Sequence, residues 1–295
     1  MHPFATAVEI SPLQIAPAIA FGAMYYVRAR RLAAQGRPVP GWRQWCWYSG
    51  LATILAALTL LGSVSDELFF GHMVEHLLLG DIGALLLVLG LTGPLLAPLL
   101  RAPVLGWIRG LAHPVPAFTL WAVNLLGWHL VGPHEAAVRG DAVHAIQHML
   151  FIGLGANMWM ALLGPLPKPA WFGNAAKLGY IIAVRLTTTA LANVFLWSGG
   201  AFFGVYAAGE RARDISPQSD QIVAGSILMV EGSILTLCLF CWLFLRSARE
   251  GQERQELLEL AAAGGVELDE RRAARAVAAG RGAELRARID DASNG

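Results

Sequence analysis

Long apolar stretches alternate with short polar loops along most of the chain. Each stretch is about 20 residues long, which lets an α-helix cross the hydrocarbon core of a bilayer. The pattern predicts an all-α fold, a polytopic membrane helix bundle with seven transmembrane helices. The predicted spans are residues 8–27, 42–64, 71–92, 115–131, 143–163, 177–197 and 220–245.

The segment 93–111 is apolar as well, but it is unsuited to a continuous span. Pro94, Pro98 and Pro103 interrupt it, and proline breaks the hydrogen-bond ladder of a helix. We interpret this segment as an interfacial or re-entrant connection.

The basic residues of the loops predict the orientation of the bundle. Loop 28–43 contains five Arg residues, whereas loop 65–70 contains only Asp66 and Glu67 as charged residues. Basic loops are retained on the cytoplasmic side of a membrane. We therefore expect the N-terminus to lie outside and the C-terminus to lie in the cytoplasm.

The last fifty residues differ in character from the rest of the chain. They are rich in Glu, Arg and Ala, which favour exposed helices. We predict a seven-helix transmembrane domain at residues 1–245 and a charged cytoplasmic helical tail, partly disordered, at residues 246–295.

Composition supports a membrane protein. Hydrophobic residues make up 56% of the chain and charged residues only 15%, whereas a soluble domain has about 25% charged residues.

The N-terminus has no basic region followed by a cleavage site, so we expect the first apolar segment to be retained. The net charge is +1 and no basic surface interleaved with aromatics is evident, so nucleic acid is not an expected partner.

Two histidine pairs are the strongest candidates for chemistry. His72 and His76 open the third predicted span, and His144 and His148 open the fifth. Residues four apart share one face of a helix. Both spans run inward from the outer surface, so the two pairs lie at one level and could hold a metal ion, a haem iron or a relayed proton.

Other residues at this level could complete the site. Glu75 lies between the first pair, and His129 ends the fourth span at the same outer face. We expect Met73 and Met149 to point away from the shared histidine face. The remaining histidines, His2, His113 and His134, receive no functional assignment.

Three charges fall deep within predicted spans: Asp81, Arg185 and Glu231. A charge at the bilayer centre costs on the order of 2.5–3.5 kcal/mol, so these residues should be paired or face water. We favour a pair between Arg185 and Glu231, with Asp81 as the alternative partner of Arg185. A salt bridge that locks the helices and a proton path both remain open.

Taken together, these motifs resemble the CtaG-type cytochrome c oxidase assembly factors of bacterial plasma membranes, over roughly residues 40–248. The matching blocks are His72-Met73-Val74-Glu75-His76-Leu77-Leu78-Leu79, Trp128-His129-Leu130, His144 to Phe151 with Leu163-Gly164-Pro165-Leu166-Pro167, and Ser216-Pro217 with Asp220-Gln221 and Ala224-Gly225. One departure follows Trp128-His129-Leu130, where Val131-Gly132-Pro133-His134 replaces a Pro and a Leu-Tyr pair.

The resemblance implies a multi-pass protein of the bacterial plasma (inner) membrane that helps to mature a haem-copper oxidase and has no catalytic turnover of its own. Its partners would be oxidase subunits, the lipid bilayer and, for copper supply, a periplasmic copper chaperone. The resemblance implies copper handling by the following residues: His72, His76, His129, His144, His148 and Asp220.

Two other functions remain compatible with the same residues. Histidines on facing helices could ligate a haem iron in a membrane redox protein. Alternatively, the histidines could form a hydrogen-bonded or pH-sensitive cluster in a scaffold that binds no cofactor.

Overall fold

The computed structural model describes residues 12–101, Gly110 and residues 113–293, and all regular elements in these residues are helical. The predicted all-α class is confirmed. The longer helices are α1 (Pro12–Ala34), α2 (Gly41–Leu60), α3 (Phe69–Gly90), α4 (Gly93–Arg101), α5 (Pro114–Trp128), α6 (Val131–Arg139), α7 (Asp141–Leu163), α8 (Asn174–Trp197), α9 (Pro217–Ala263), α10 (Glu270–Ala278) and α11 (Gly282–Ser293). Short helical segments lie at Gly62–Ser65, Gly204–Tyr206 and Ala207–Ala212.

Four helices in the described residues, α3, α7, α8 and α9, are long and apolar enough to cross a membrane. Helices α5 and α6, bent by 74° at their junction, together make a fifth candidate. Helices α1 and α2 overlap the first two predicted spans but are not among these candidates. The count of seven spans and the orientation therefore stay predictions. Residues 8–11 of the first span, and residues 102–109 and Leu111 of the connection, lie outside the described residues.

Helix α7 packs against α3, α5 and α6, and α2 packs against the second half of α3. The closest approach is between glycines of α3 and α7. A Cβ added at Gly155 would overlap the carbonyl oxygen of Gly80. Small residues let two membrane helices meet backbone to backbone, so this contact fixes the separation of the helices that carry the two histidine pairs.

Helix α3 changes its hydrogen-bond pattern beyond its histidines. Residues Leu78–Gly83 form a π-helical segment, and the helix then continues as an α-helix from Ala84. An inserted π turn rotates the residues that follow it, and such turns are frequent at functional sites. Asp81 lies within this segment.

The chain divides into two compact units, Met1–Ser233 and Ile234–Gly295. In the second unit, α10 and α11 pack with the C-terminal part of α9 around a small apolar core. Gly265 and Gly280 have positive φ angles in the turns before α10 and α11, a conformation that glycine adopts without strain. The core of this second unit consists of Leu257, Ala261, Val277, Leu285 and Ile289. The predicted domain limit at residue 245 stays a prediction.

Candidate metal centre

The first turns of α3 bury three polar side chains on one face. His72, Glu75 and His76 are 0%, 2% and 3% exposed. The spacings of three and four residues place all three on the same side of the helix. Rings from α6 and α7 lie against this side and cover it: His134 and His144 against His72, and His148 and Phe151 against His76.

The predicted histidine pairs meet across the packing of α3 and α7. The rings of His72 and His144 stack at a centroid distance of 5.2 Å, and those of His76 and His148 lie edge to face at 5.8 Å. His144 and His148 keep 17% and 12% of their side chains exposed. We call His72, Glu75, His76, His144 and His148 the histidine cluster.

Two groups within the histidine cluster have the geometry of a metal site. Ligand atoms of His72, His76 and His144 lie within 4.8 Å of one another, as do those of Glu75, His144 and His148. A divalent ion with bonds of about 2.0–2.1 Å to nitrogen therefore needs only small side-chain rotations to reach three of them. His144 belongs to both groups.

The unpaired atoms of the histidine cluster favour a bound ion. Both ring nitrogens of His72 and of His76 are buried, as are Nε2 of His144 and Oε2 of Glu75. None of these atoms has a hydrogen-bond partner among the described residues. A buried polar group without a partner is costly and rare in native proteins. Neutral imidazoles with one carboxylate form a donor set that suits copper or zinc.

Acidic residues outside the predicted spans lie beside the histidine cluster. A carboxylate oxygen of Asp66 lies 4.0 Å from Nδ1 of His144, and the Asp66 side chain is largely exposed. Partial burial and the carboxylates of Glu75 and Asp141 raise the pKa of Asp66. A negatively charged rim concentrates cations at the mouth of a site.

His129 and His134 lie beside the histidine cluster because the chain bends between α5 and α6. His129 ends α5, and Pro133 lies in the first turn of α6, where its missing N–H is not needed. The bend brings His134 to 4.8 Å from the ring of His72 and to 6.0 Å from that of His129.

The sequence interpretation gave His134 no functional assignment, yet this ring is fully buried. Its Nε2 shares a hydrogen bond of 2.8 Å with the hydroxyl of Tyr206. The Gly132-Pro133 step was the signal that the chain turns back here.

Met73 contacts a histidine outside the two pairs. Its side chain is buried, and its sulfur lies 3.1 Å from Nε2 of His129. Because His129 approaches α3 from a neighbouring face, this contact is compatible with the prediction that Met73 points away from the face shared by the pairs, which stays a prediction. Met149 is 64% exposed, which agrees with the prediction for that residue.

The region that carries these features matches a known family. A family model described as cytochrome c oxidase caa3 assembly factor covers residues 23–250. The chain belongs to this family. The resemblance inferred from the motifs is thus confirmed. No curated protein and no solved structure matches the chain.

Asp220 caps the N-terminus of α3. The resemblance to assembly factors implied a functional role for this residue. Its two carboxylate oxygens accept hydrogen bonds of 2.8 Å from the backbone N–H groups of Phe69 and Phe70. The first N–H groups of a helix lack partners within it, and a carboxylate there also interacts favourably with the helix dipole. This geometry favours a capping role over the predicted role as a metal ligand.

Replacing Asp220 with alanine should lower the stability of the protein. The change leaves two N–H groups at the start of α3 without acceptors, and we expect a loss of about 2–3 kcal/mol. Unfolding of the purified protein in detergent measures this loss. Asp220→Asn retains one acceptor oxygen and should lose less. Unchanged stability in Asp220→Asn together with lost metal binding would instead indicate a ligand.

The charges within the predicted spans do not form the favoured ion pair. Arg185 donates to the hydroxyl of Ser233 at 2.7 Å and contacts the sulfur of Met229 at 3.0 Å. No oxygen of Glu231 lies within ion-pair distance of Arg185, although the two charges interact at longer range. Glu231 also interacts electrostatically with Asp81. The three charges lie on α3, α8 and α9, and Glu231 lies within electrostatic range of the other two.

Proposed function

We propose that this assembly factor binds copper at the histidine cluster and delivers it to a subunit of a haem-copper cytochrome c oxidase. The observation that carries the proposal is the set of buried imidazole nitrogens in His72, His76 and His144 that have no hydrogen-bond partner among the described residues. Leaving these atoms buried without partners costs free energy, and an ion bound to them would offset that cost.

Copper is cargo in this proposal, and the protein carries out no catalytic turnover. Asp66 and Asp141 attract the ion to the partly exposed His144 and His148. A periplasmic copper chaperone would supply the ion, and an oxidase subunit would receive it. This arrangement requires a multi-pass protein of a bacterial plasma membrane, with the histidine cluster near its outer face.

Haem is the alternative occupant, and space disfavours it. The rings of His72 and His144 already stack at 5.2 Å, and the backbones of α3 and α7 meet at Gly80 and Gly155. A porphyrin placed between these helices would have to separate them. A scaffold without any cofactor leaves the unpaired nitrogens unexplained.

Metal analysis and an absorption spectrum on one purified sample test the proposal. We expect the full-length protein in detergent to bind near-stoichiometric copper after loading and to show no Soret band after haem addition. Cells lacking the protein should contain oxidase subunits depleted of copper.

The alternatives predict different results. A Soret band without copper binding would replace copper delivery with haem binding. Failure to bind either cofactor, in a protein that oxidase assembly still requires, would identify a scaffold.

A further inference from the structure

The contact between the sulfur of Met73 and Nε2 of His129 is not a hydrogen bond in the neutral protein, because neither atom carries a hydrogen. Nδ1 of His129 lies 2.6 Å from the carbonyl oxygen of Leu125. A carbonyl oxygen only accepts hydrogen bonds, so Nδ1 carries the ring proton. In the neutral ring, Nε2 then presents a lone pair, and it faces the Met73 sulfur at 3.1 Å. A thioether sulfur carries no proton either.

Two lone pairs that face each other at this distance call for a cation. The other arrangement, an imidazolium that donates to the sulfur, places a charge in a buried pocket against a weak acceptor. A soft metal ion bound by both atoms avoids that cost, because thioether sulfur and imidazole nitrogen are both ligands for Cu(I).

A third ligand is available in the same place. A small cavity, large enough for a water molecule, is lined by Met73, His129 and His76. The rings of His76 and His129 lie 6.2 Å apart, and neither nitrogen of His76 has a hydrogen-bond partner among the described residues. Asp81 lines the cavity as well, and its carboxylate would balance the charge of a monovalent ion.

We propose that Met73, His76 and His129 form a second site, selective for Cu(I), which shares His76 with the histidine cluster. This inference rests on the proposed function, which it extends by naming the oxidation state and a second set of ligands. Glu75, His144 and His148 offer only oxygen and nitrogen atoms, whereas the second site adds a soft sulfur.

His76 connects the two sites. It belongs to the group with His72 and His144, and it also lines the cavity with Met73 and His129. An ion bound near the surface can therefore move to the second site by exchanging ligands one at a time around His76. Copper remains Cu(I) in this movement, so no electron transfer is required.

Met73→Leu tests the second site. Leucine keeps the size and apolar character of the side chain and removes the sulfur. We expect the affinity for Cu(I), measured without oxygen by competition with a chromogenic chelator, to fall at least about tenfold. Binding of Zn(II), which probes the histidine cluster, should not change. Met149→Leu removes an exposed sulfur and should change neither affinity.

X-ray absorption of Cu(I)-loaded protein provides a second measurement that leaves the three proposed ligands unchanged. The sample is a full-length chain in which Cys46, Cys238 and Cys241 are replaced by alanine, so that only methionine can supply sulfur. A copper–sulfur scattering path supports the second site.

Two results would overturn the inference in different ways. The first result is equal Cu(I) affinity in Met73→Leu and the unaltered protein, with copper bound only to nitrogen and oxygen. This result would refute the second site but not copper delivery by the histidine cluster. The second result is that the unaltered protein binds no copper. This result would refute both the proposed function and the second site.

Discussion

Replacing both His72 and His144 with alanine is expected to abolish copper binding by the histidine cluster, and with it copper delivery to the oxidase, without unfolding the protein. His144 belongs to both ligand groups, and His72 supplies two of the unpaired nitrogens. The fold should tolerate the change, because both nitrogens of His72 and Nε2 of His144 lack hydrogen bonds to the described residues. Copper per chain and the unfolding temperature, measured on one preparation, check both parts of this prediction.

His113→Ala is the matched control for this double variant. His113 begins α5, whereas His129 ends it, a separation of about 24 Å at the helical rise of 1.5 Å per residue. The control removes an imidazole and should bind copper normally. Full copper binding by the double variant would refute the assignment of the site.

Gly155→Ala is expected to destabilise the bundle and to weaken metal binding together. The added methyl group would overlap the carbonyl oxygen of Gly80, and neither backbone can move aside without separating α3 from α7. Overpacking of this kind costs about 1–3 kcal/mol. Since these two helices carry the histidine pairs, copper affinity should fall although no ligand is changed. Unfolding in detergent and a copper titration measure the two effects.

Gly153→Ala controls for the change in helix propensity. A Cβ at Gly153 meets no other atom within 4 Å, and alanine favours a helix over glycine by about 1 kcal/mol. This variant should therefore be as stable as the unaltered protein or slightly more stable. Equal behaviour of the two variants would show that the contact between α3 and α7 does not set the geometry of the site.

Much of the fold follows from local patterns in the chain. Apolar stretches long enough for membrane helices predicted the positions of the long helices to within a few residues, except that α1 extends to Ala34 and α9 to Ala263. The extensions were missed because a membrane pattern ends where charged residues begin, whereas helix-forming Glu, Arg and Ala continue the same helix. The π-helical segment at Leu78–Gly83 has no comparable signal in the sequence.

Part of the site could also be predicted from local patterns in the chain. Spacing by four residues places His72 with His76 and His144 with His148 on single helix faces, whatever the rest of the chain does. The roles of His134, Met73 and Asp220 depend on other helices. Asp220 contacts the N–H of Phe69 across 151 residues of sequence, a pairing that no local pattern contains.

By itself, the sequence determined the helical class, the histidine pairs and the family, because helix periodicity and short motifs are properties of neighbouring residues. Tertiary structure alone decided which helices are neighbours. It brought the two pairs together through the contact of Gly80 with Gly155, and it turned the sulfur of Met73 toward His129. Both outcomes depend on where α7 and His129 lie beside α3, which sequence spacing does not encode.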